Sequence, residues 1–129
     1  MSDRTGRWRI LRKEDGTILL ARVRWCDGFW CKFRGLMFRR ELPEDEGLLF
    51  VYNRESRTDT AIHMLFMRFA IATVWLNAEG VVVDKVLARP WRLVYAPREP
   101  ARYFVEASPS LLDRVMIGDR LIFDEVVGA

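Results

Sequence analysis

Histidine is almost missing from this 129-residue chain: His63 is the only one. A catalytic metal site takes about three protein ligands, so Cys26, Cys31 or a carboxylate would have to complete any site built on His63, and neither a metal nor a cofactor is expected. Cysteine is scarce too. Cys26 and Cys31 stand five apart in WCDGFWC, which is neither a redox Cys-x-x-Cys nor a zinc knuckle. Reduced, partly buried thiols are the expectation. Lysine supplies three of the 21 basic residues and arginine the other 18, a bias that suits carboxylate, phosphate and aromatic partners. The net charge is only +3, with a pI near 9.2. The denser patch Arg22, Arg24, Lys32, Arg34, Arg39 and Arg40 is followed by the acidic turn Glu41, Glu44, Asp45 and Glu46. Nucleic-acid binding is therefore not expected.

Long apolar runs are lacking as well. The longest, Ala61 to Leu76, is sixteen residues and contains Arg68. A spanning helix needs about 20 apolar residues, and a mid-helix arginine costs roughly 2.5 to 3.5 kcal/mol or more, so no membrane span is expected. With no linker rich in proline, glycine or serine, residues 1–129 read as one domain. The opening MSDRTGRWRILRKEDG has no apolar h-region, which makes the cytoplasm the expected location.

The chain is otherwise rich in short apolar segments. Trp8 to Leu11 and Thr17 to Trp25 read as a hairpin turning at Asp15-Gly16. Asp27 can cap a short helix over about Gly28 to Met37. Gly47 to Tyr52 reads as a strand and Asn53 to Asp59 as a polar connection. The run 60–77 is the centre of the core: if extended, it places Ile62, Met64, Phe66 and Arg68 on one face and His63, Leu65 and Met67 on the other, a strand covered on both sides. Val81 to Leu87 pairs back on Ala72 to Leu76 through Ala78-Glu79-Gly80. Pro90, Pro97 and Pro100 mark irregular stretches. Arg102 to Ala107 is a further strand, Ser108-Pro109 starts a second short helix, and Arg120 to Val126 is the last strand. The expectation is a mainly β (α+β) fold, a compact antiparallel β-barrel or sandwich with two short helices.

Several short motifs occur in a set order: Arg34-Gly35-Leu36-Met37, Gly47-Leu48-Leu49-Phe50, Phe66-Met67-Arg68-Phe69, Gly80-Val81-Val82, Pro90-Trp91-Arg92, Val105-Glu106 and Gly118-Asp119. Over about residues 21–123 this series resembles the family known as domain of unknown function 192. The resemblance implies a compact, mostly β fold of bacteria and archaea, often exported, with no agreed activity. The chain departs from the pattern at Ala70 and Ala72, where relatives carry Pro-Ile-Asp, and at Asn77, where they carry an acid. If relatives use that aspartate to hold a cation or ligand, the resemblance implies that this chain, with Ala72, has lost it.

The candidate site residues are Arg34, His63, Arg68, Trp91, Glu106 and Asp119. An arginine within an apolar run should be paired, with Glu106 or Asp119 as the expected partner; the plainer alternative turns Arg68 out to solvent at a strand end. His63 is either a satisfied core imidazole or a ligand. Glu106 lies mid-strand, on the wet face or in a barrel mouth, and Asp119 after Gly118 reads most simply as a turn residue. Trp91 and Tyr95 either stack a ligand or close the core. Arg34 complements a helix end or meets an anion at a pocket rim. The expected function is a binding or accessory module for a small polar or anionic ligand or a protein partner. The alternatives are a hydrolase or isomerase with Glu106 or His63 as general base, and a purely structural or oligomeric protein.

Overall fold

The computed structural model describes residues 8–28, 31–32 and 42–125. Seven strands follow in order: β1 (Trp8–Lys13), β2 (Ile18–Cys26), β3 (Glu46–Ser56), β4 (Ile71–Leu76), β5 (Val82–Ala88), β6 (Ala101–Ala107) and β7 (Leu121–Glu125). They form one sheet in the order β5-β4-β6-β3-β2-β1-β7, curled into a half-barrel. Its two margins meet at one end, where Val82 N–H donates to the Asp119 carbonyl, Gly118 N–H to Val82, and Leu121 N–H to Gly80, at 2.8–2.9 Å.

The β1–β2 hairpin forms where the Asp-Gly pair places it. Lys13 N–H donates to the Thr17 carbonyl at 2.9 Å, Asp15 Oδ1 accepts from Thr17 N–H, and Gly16 takes φ 95°, a value open to glycine and strained for other residues. The β4–β5 turn is held by a side chain: Asn77 Oδ1 accepts from both Glu79 N–H and Val81 N–H at 3.0 Å.

Three expectations are corrected. The sheet is not wholly antiparallel, because β2 and β3 pair in parallel; two parallel neighbours need a long crossover, and residues 27–45 supply it. The second of the two expected short helices is not an α-helix. Ser108-Pro109 opens only a 3-10 helix, Pro109–Asp113, whose preceding Ser108 makes no side-chain cap, and five residues are too few for an α-helical ladder to establish itself. The helix expected over Gly28 to Met37 lies mostly outside the described residues. The cysteines are not free thiols: Cys26 and Cys31 form a disulfide with Cα atoms 5.7 Å apart, inside the range such a bond accepts.

The core lies on both faces of the sheet. One face gathers Leu11, Leu20, Leu49, Val74, Leu76 and Val105, with Leu111 and Val115 from the 3-10 region packed against them. The other gathers Cys26, Leu48, Phe50, Met64, Trp75 and Phe104. All six residues of β4 are buried, so the doubly covered strand exists, but it is only the second half of the apolar run. Residues 61–70 are an irregular segment that turns at Leu65-Phe66.

Candidate functional site

The irregular segment 60–70 is zipped to a second one, 89–97. Ile62 and Tyr95 exchange backbone hydrogen bonds at 2.8 and 2.9 Å; Met64 N–H donates to the Arg92 carbonyl at 2.8 Å and Trp91 N–H to the Met64 carbonyl at 2.6 Å. The Tyr95 hydroxyl accepts from Arg89 N–H at 2.9 Å. From below, the buried Trp75 indole donates to the Thr60 carbonyl at 2.8 Å. Ile62, Met64 and Met67 sink into the core, which leaves the residues between them facing outward.

Phe66 and Trp91 are the only described non-glycine residues with positive φ, at 64° and 68°. For a bulky side chain this conformation costs on the order of 1 kcal/mol or more and persists only where the surroundings impose it. The two strained residues face each other, ring centroids 5.2 Å apart and edge to face at 63°. With Met67, Arg68 and Pro90 they line an open cleft of about 430 Å³. Both aromatics are exposed, Trp91 to 58%.

Arg68 is exposed on this cleft and makes no ion pair or hydrogen bond among the described residues. The expected pairing with Glu106 or Asp119 is therefore corrected: the positive-φ turn at Phe66 reverses the inside-outside alternation just before Arg68, so the guanidinium emerges into water. Asp119 lies elsewhere, beside Lys13 at 3.4 Å, and accepts from Met116 N–H at 2.9 Å; it is a turn residue. His63 is exposed on the same segment as Arg68, its Nδ1 accepting from Leu65 N–H at 3.3 Å, so the core-imidazole alternative is excluded. Trp91 and Tyr95 part company: Trp91 faces the cleft, while Tyr95 packs on the core. Arg34 lies outside the described residues.

Glu106 belongs to a different place. On β6 it lies between Leu48 of β3 and Thr73 of β4, 7% exposed. Burial pushes its carboxyl up to about 8, because the charged form is disfavoured where water is excluded. No hydrogen bond reaches it among the described residues. Its neighbour Thr73 carries a buried hydroxyl with no partner among the described residues. On the same face the Tyr52 phenol is raised to about 12, first by burial and then by Glu106 and Asp59. The Lys32 ammonium sits 3.8 Å over the Tyr52 ring, lowered chiefly by burial. None of the described contacts joins Glu106 to His63, Arg68 or Trp91. The sequence thus names two members of the cleft, Arg68 and Trp91, and misses Phe66, whose role depends on a backbone turn that apolar periodicity does not report. It also misses Thr73, since a threonine in a strand reads as ordinary β propensity.

Departures from the family pattern have local consequences. Ala72 is wholly buried in the apolar cluster with Leu49 and Val74. Asn77 performs the turn-holding role described above.

Two solved structures share this fold. One is titled a putative transcription regulator from Sinorhizobium meliloti 1021, with a TM-score of 0.80 and 22% identity over 92% of this chain and 95% of that one. The other is a protein of unknown function from Novosphingobium aromaticivorans, with a TM-score of 0.74 and 19% identity over 89% and 83%. At these identities the likeness shows the fold alone. In sequence, the chain is 37% identical to a UPF0127 protein of Pyrococcus furiosus over 92% of its own length and 100% of that protein. It is 34% identical to a UPF0127 protein of Thermococcus sibiricus over 87% and 72%. The family model for DUF192, described as an uncharacterized ACR, matches residues 10–123. With the half-barrel, the ordered motifs and these relatives in agreement, the chain belongs to the DUF192 family.

Proposed function

We propose that this protein is a binding module whose working surface is the cleft between segments 60–70 and 89–97, taking a ligand or partner that carries negative charge beside an apolar or flat part. The observation that carries this reading is the pair of strained aromatics. A fold that holds both Phe66 and Trp91 at positive φ, exposed and edge to face, keeps two rings in place that burial would not reward. Backbone strain of this kind clusters at ligand clamps. Arg68 on the same cleft adds a cation able to meet a carboxylate or phosphate in a two-pronged contact. The separation of Glu106 from this cleft weighs the reading toward binding. A buried carboxyl that gains and loses its proton near neutral pH suits general acid–base work, but Glu106 is nearly closed off from solvent and no hydrogen bond among the described residues sets it in a catalytic arrangement. The S. meliloti protein, described as a putative transcription regulator, shares only the fold with this chain.

The test is thermal shift with glycerol phosphate, citrate and benzoate on the parent chain and on Arg68→Ala. At a concentration 100-fold above Kd, a bound ligand stabilises the folded chain by about 2.7 kcal/mol. The parent Tm should rise with at least one of these anions, and Arg68→Ala should lose the rise while keeping its ligand-free Tm. Equal shifts in parent and variant, or none in the parent, sink the proposal.

A further inference from the structure

The cleft leaves part of the surface around it unexplained. Among the described residues, the two most exposed large apolar side chains are Leu93 at 69% and Val94 at 64%. They lie next to the cleft in sequence, on the same zipped segment as Trp91, but do not line it. A small anion seated between Phe66 and Trp91 would leave both in water. Within the two zipped stretches the charge has one sign: 60–70 and 89–98 contain Arg68, Arg89, Arg92 and Arg98 and no acid, with Asp59 and Glu99 just outside them, in a chain with 18 acidic residues. Of these, Arg98 lies within 3.9 Å of Asp84 and Arg92 stacks over Tyr95 at 5.2 Å, while Arg68 and Arg89 are exposed.

We propose that the tips of the zipped segments dock on the surface of a lipid bilayer rich in anionic phospholipid. Trp91, Leu93 and Val94 enter the headgroup boundary while Arg68, Arg89 and Arg92 meet lipid phosphates. This deepens the reading of the cleft as the binding surface and rests on it. Tryptophan settles at such boundaries because its ring is apolar and its N–H is polar. Basic side chains beside shallowly inserted apolar ones are the combination by which interfacial segments hold to anionic leaflets. An acidic protein would also meet the arginines. But Leu93 and Val94, adjacent and protruding, suit a medium that yields to them better than one that must be shaped to receive them. The hydrogen-bonded base at Ile62, Met64, Trp91 and Tyr95 keeps the tip presented without needing to fold on contact.

The experiment is co-sedimentation of the full chain with vesicles of phosphatidylglycerol mixed with phosphatidylcholine, and of phosphatidylcholine alone, with tryptophan emission followed in parallel. The expected result is binding at least about tenfold tighter to the anionic vesicles and weakening with salt. A blue shift should accompany it and be absent from Trp91→Phe. The double substitution Leu93→Asp with Val94→Asp should lose the binding at unchanged Tm. Equal binding by parent and double variant, or equal binding to both vesicle types, overturns the proposal. If no vesicle binds but at least one of glycerol phosphate, citrate and benzoate still raises Tm through Arg68, the bilayer is overturned and the cleft stands; if neither occurs, both fall. Capture by poly-L-glutamate that needs Leu93 and Val94, without vesicle binding, replaces the bilayer with an acidic protein.

Discussion

Glu106 shows what a single side chain can do to a sheet's response to pH. Its carboxyl sits between Leu48 and Thr73 with almost no access to water, and burial raises it from 4.5 to about 8. The folded chain therefore keeps this proton over a range in which the unfolded chain has released it. The resulting stability is complete below the unfolded value near 4.5, declines as pH rises, and is gone above about 8. The whole effect is at most about 5 kcal/mol. Glu106→Gln should flatten the dependence of stability on pH between 4.5 and 8 relative to the parent and should make the variant the more stable of the two above pH 8. Denaturant unfolding across that range measures it; parallel profiles would show that the carboxyl stays ionised. The sequence places Glu106 in mid-strand correctly but cannot say whether it is wet or dry. That depends on which elements cover the outer face of β6, a fact of tertiary packing. Arg68 fails for a related reason: its neighbours in sequence are apolar, yet its neighbours in space are the rim of a cleft and water.

At the level of the element, the apolar run 61–76 divides in a way composition does not show. Its second half becomes β4, buried on both sides as expected; its first half has the same apolar content but breaks at Leu65-Phe66. No proline or glycine marks the break. It arises because Ile62, Met64 and Met67 drop into the core while backbone hydrogen bonds tie 62 and 64 to 95, 92 and 91. Such partners are remote in sequence and leave no trace in periodicity. If the zipped segments hold Trp91 at φ 68° for binding rather than packing, Trp91→Gly should change stability by no more than about 1 kcal/mol, since relief of backbone strain offsets the lost contact with Phe66. Ligand-induced stabilisation should vanish in the same variant. A loss of several kcal/mol in Tm-derived stability would instead assign Trp91 to the core.

Over the whole molecule, the half-barrel depends on its two margins meeting at Gly80–Val82 and Gly118–Leu121. Gly80 has φ 84°, and a Cβ there would stand 2.7 Å from the Leu121 carbonyl oxygen. Gly80→Ala should therefore cost about 2 kcal/mol or more. Gly16→Ala, where φ is 95° but nothing lies within 4 Å, should cost about 1 kcal/mol. Similar losses in urea unfolding would show that the junction contributes nothing beyond local strain. Strand identity was legible at this scale because each strand carries its own apolar pattern and turn residues. The parallel β2–β3 pair was not, because pattern within a strand says nothing about its neighbour's direction. The disulfide was missed because spacing alone does not report that Cys26 and Cys31 fall within bonding reach.

The β1–β7 ladder joins the described strand nearest the N-terminus to the one nearest the C-terminus, from Arg9–Glu125 to Lys13–Leu121. On a ribosome, the partner for the outer flank of β1 is thus the last of the described strands to emerge. Until it does, the hairpin shows a bare row of amides and carbonyls, the part of the nascent chain most open to pairing with the wrong molecule.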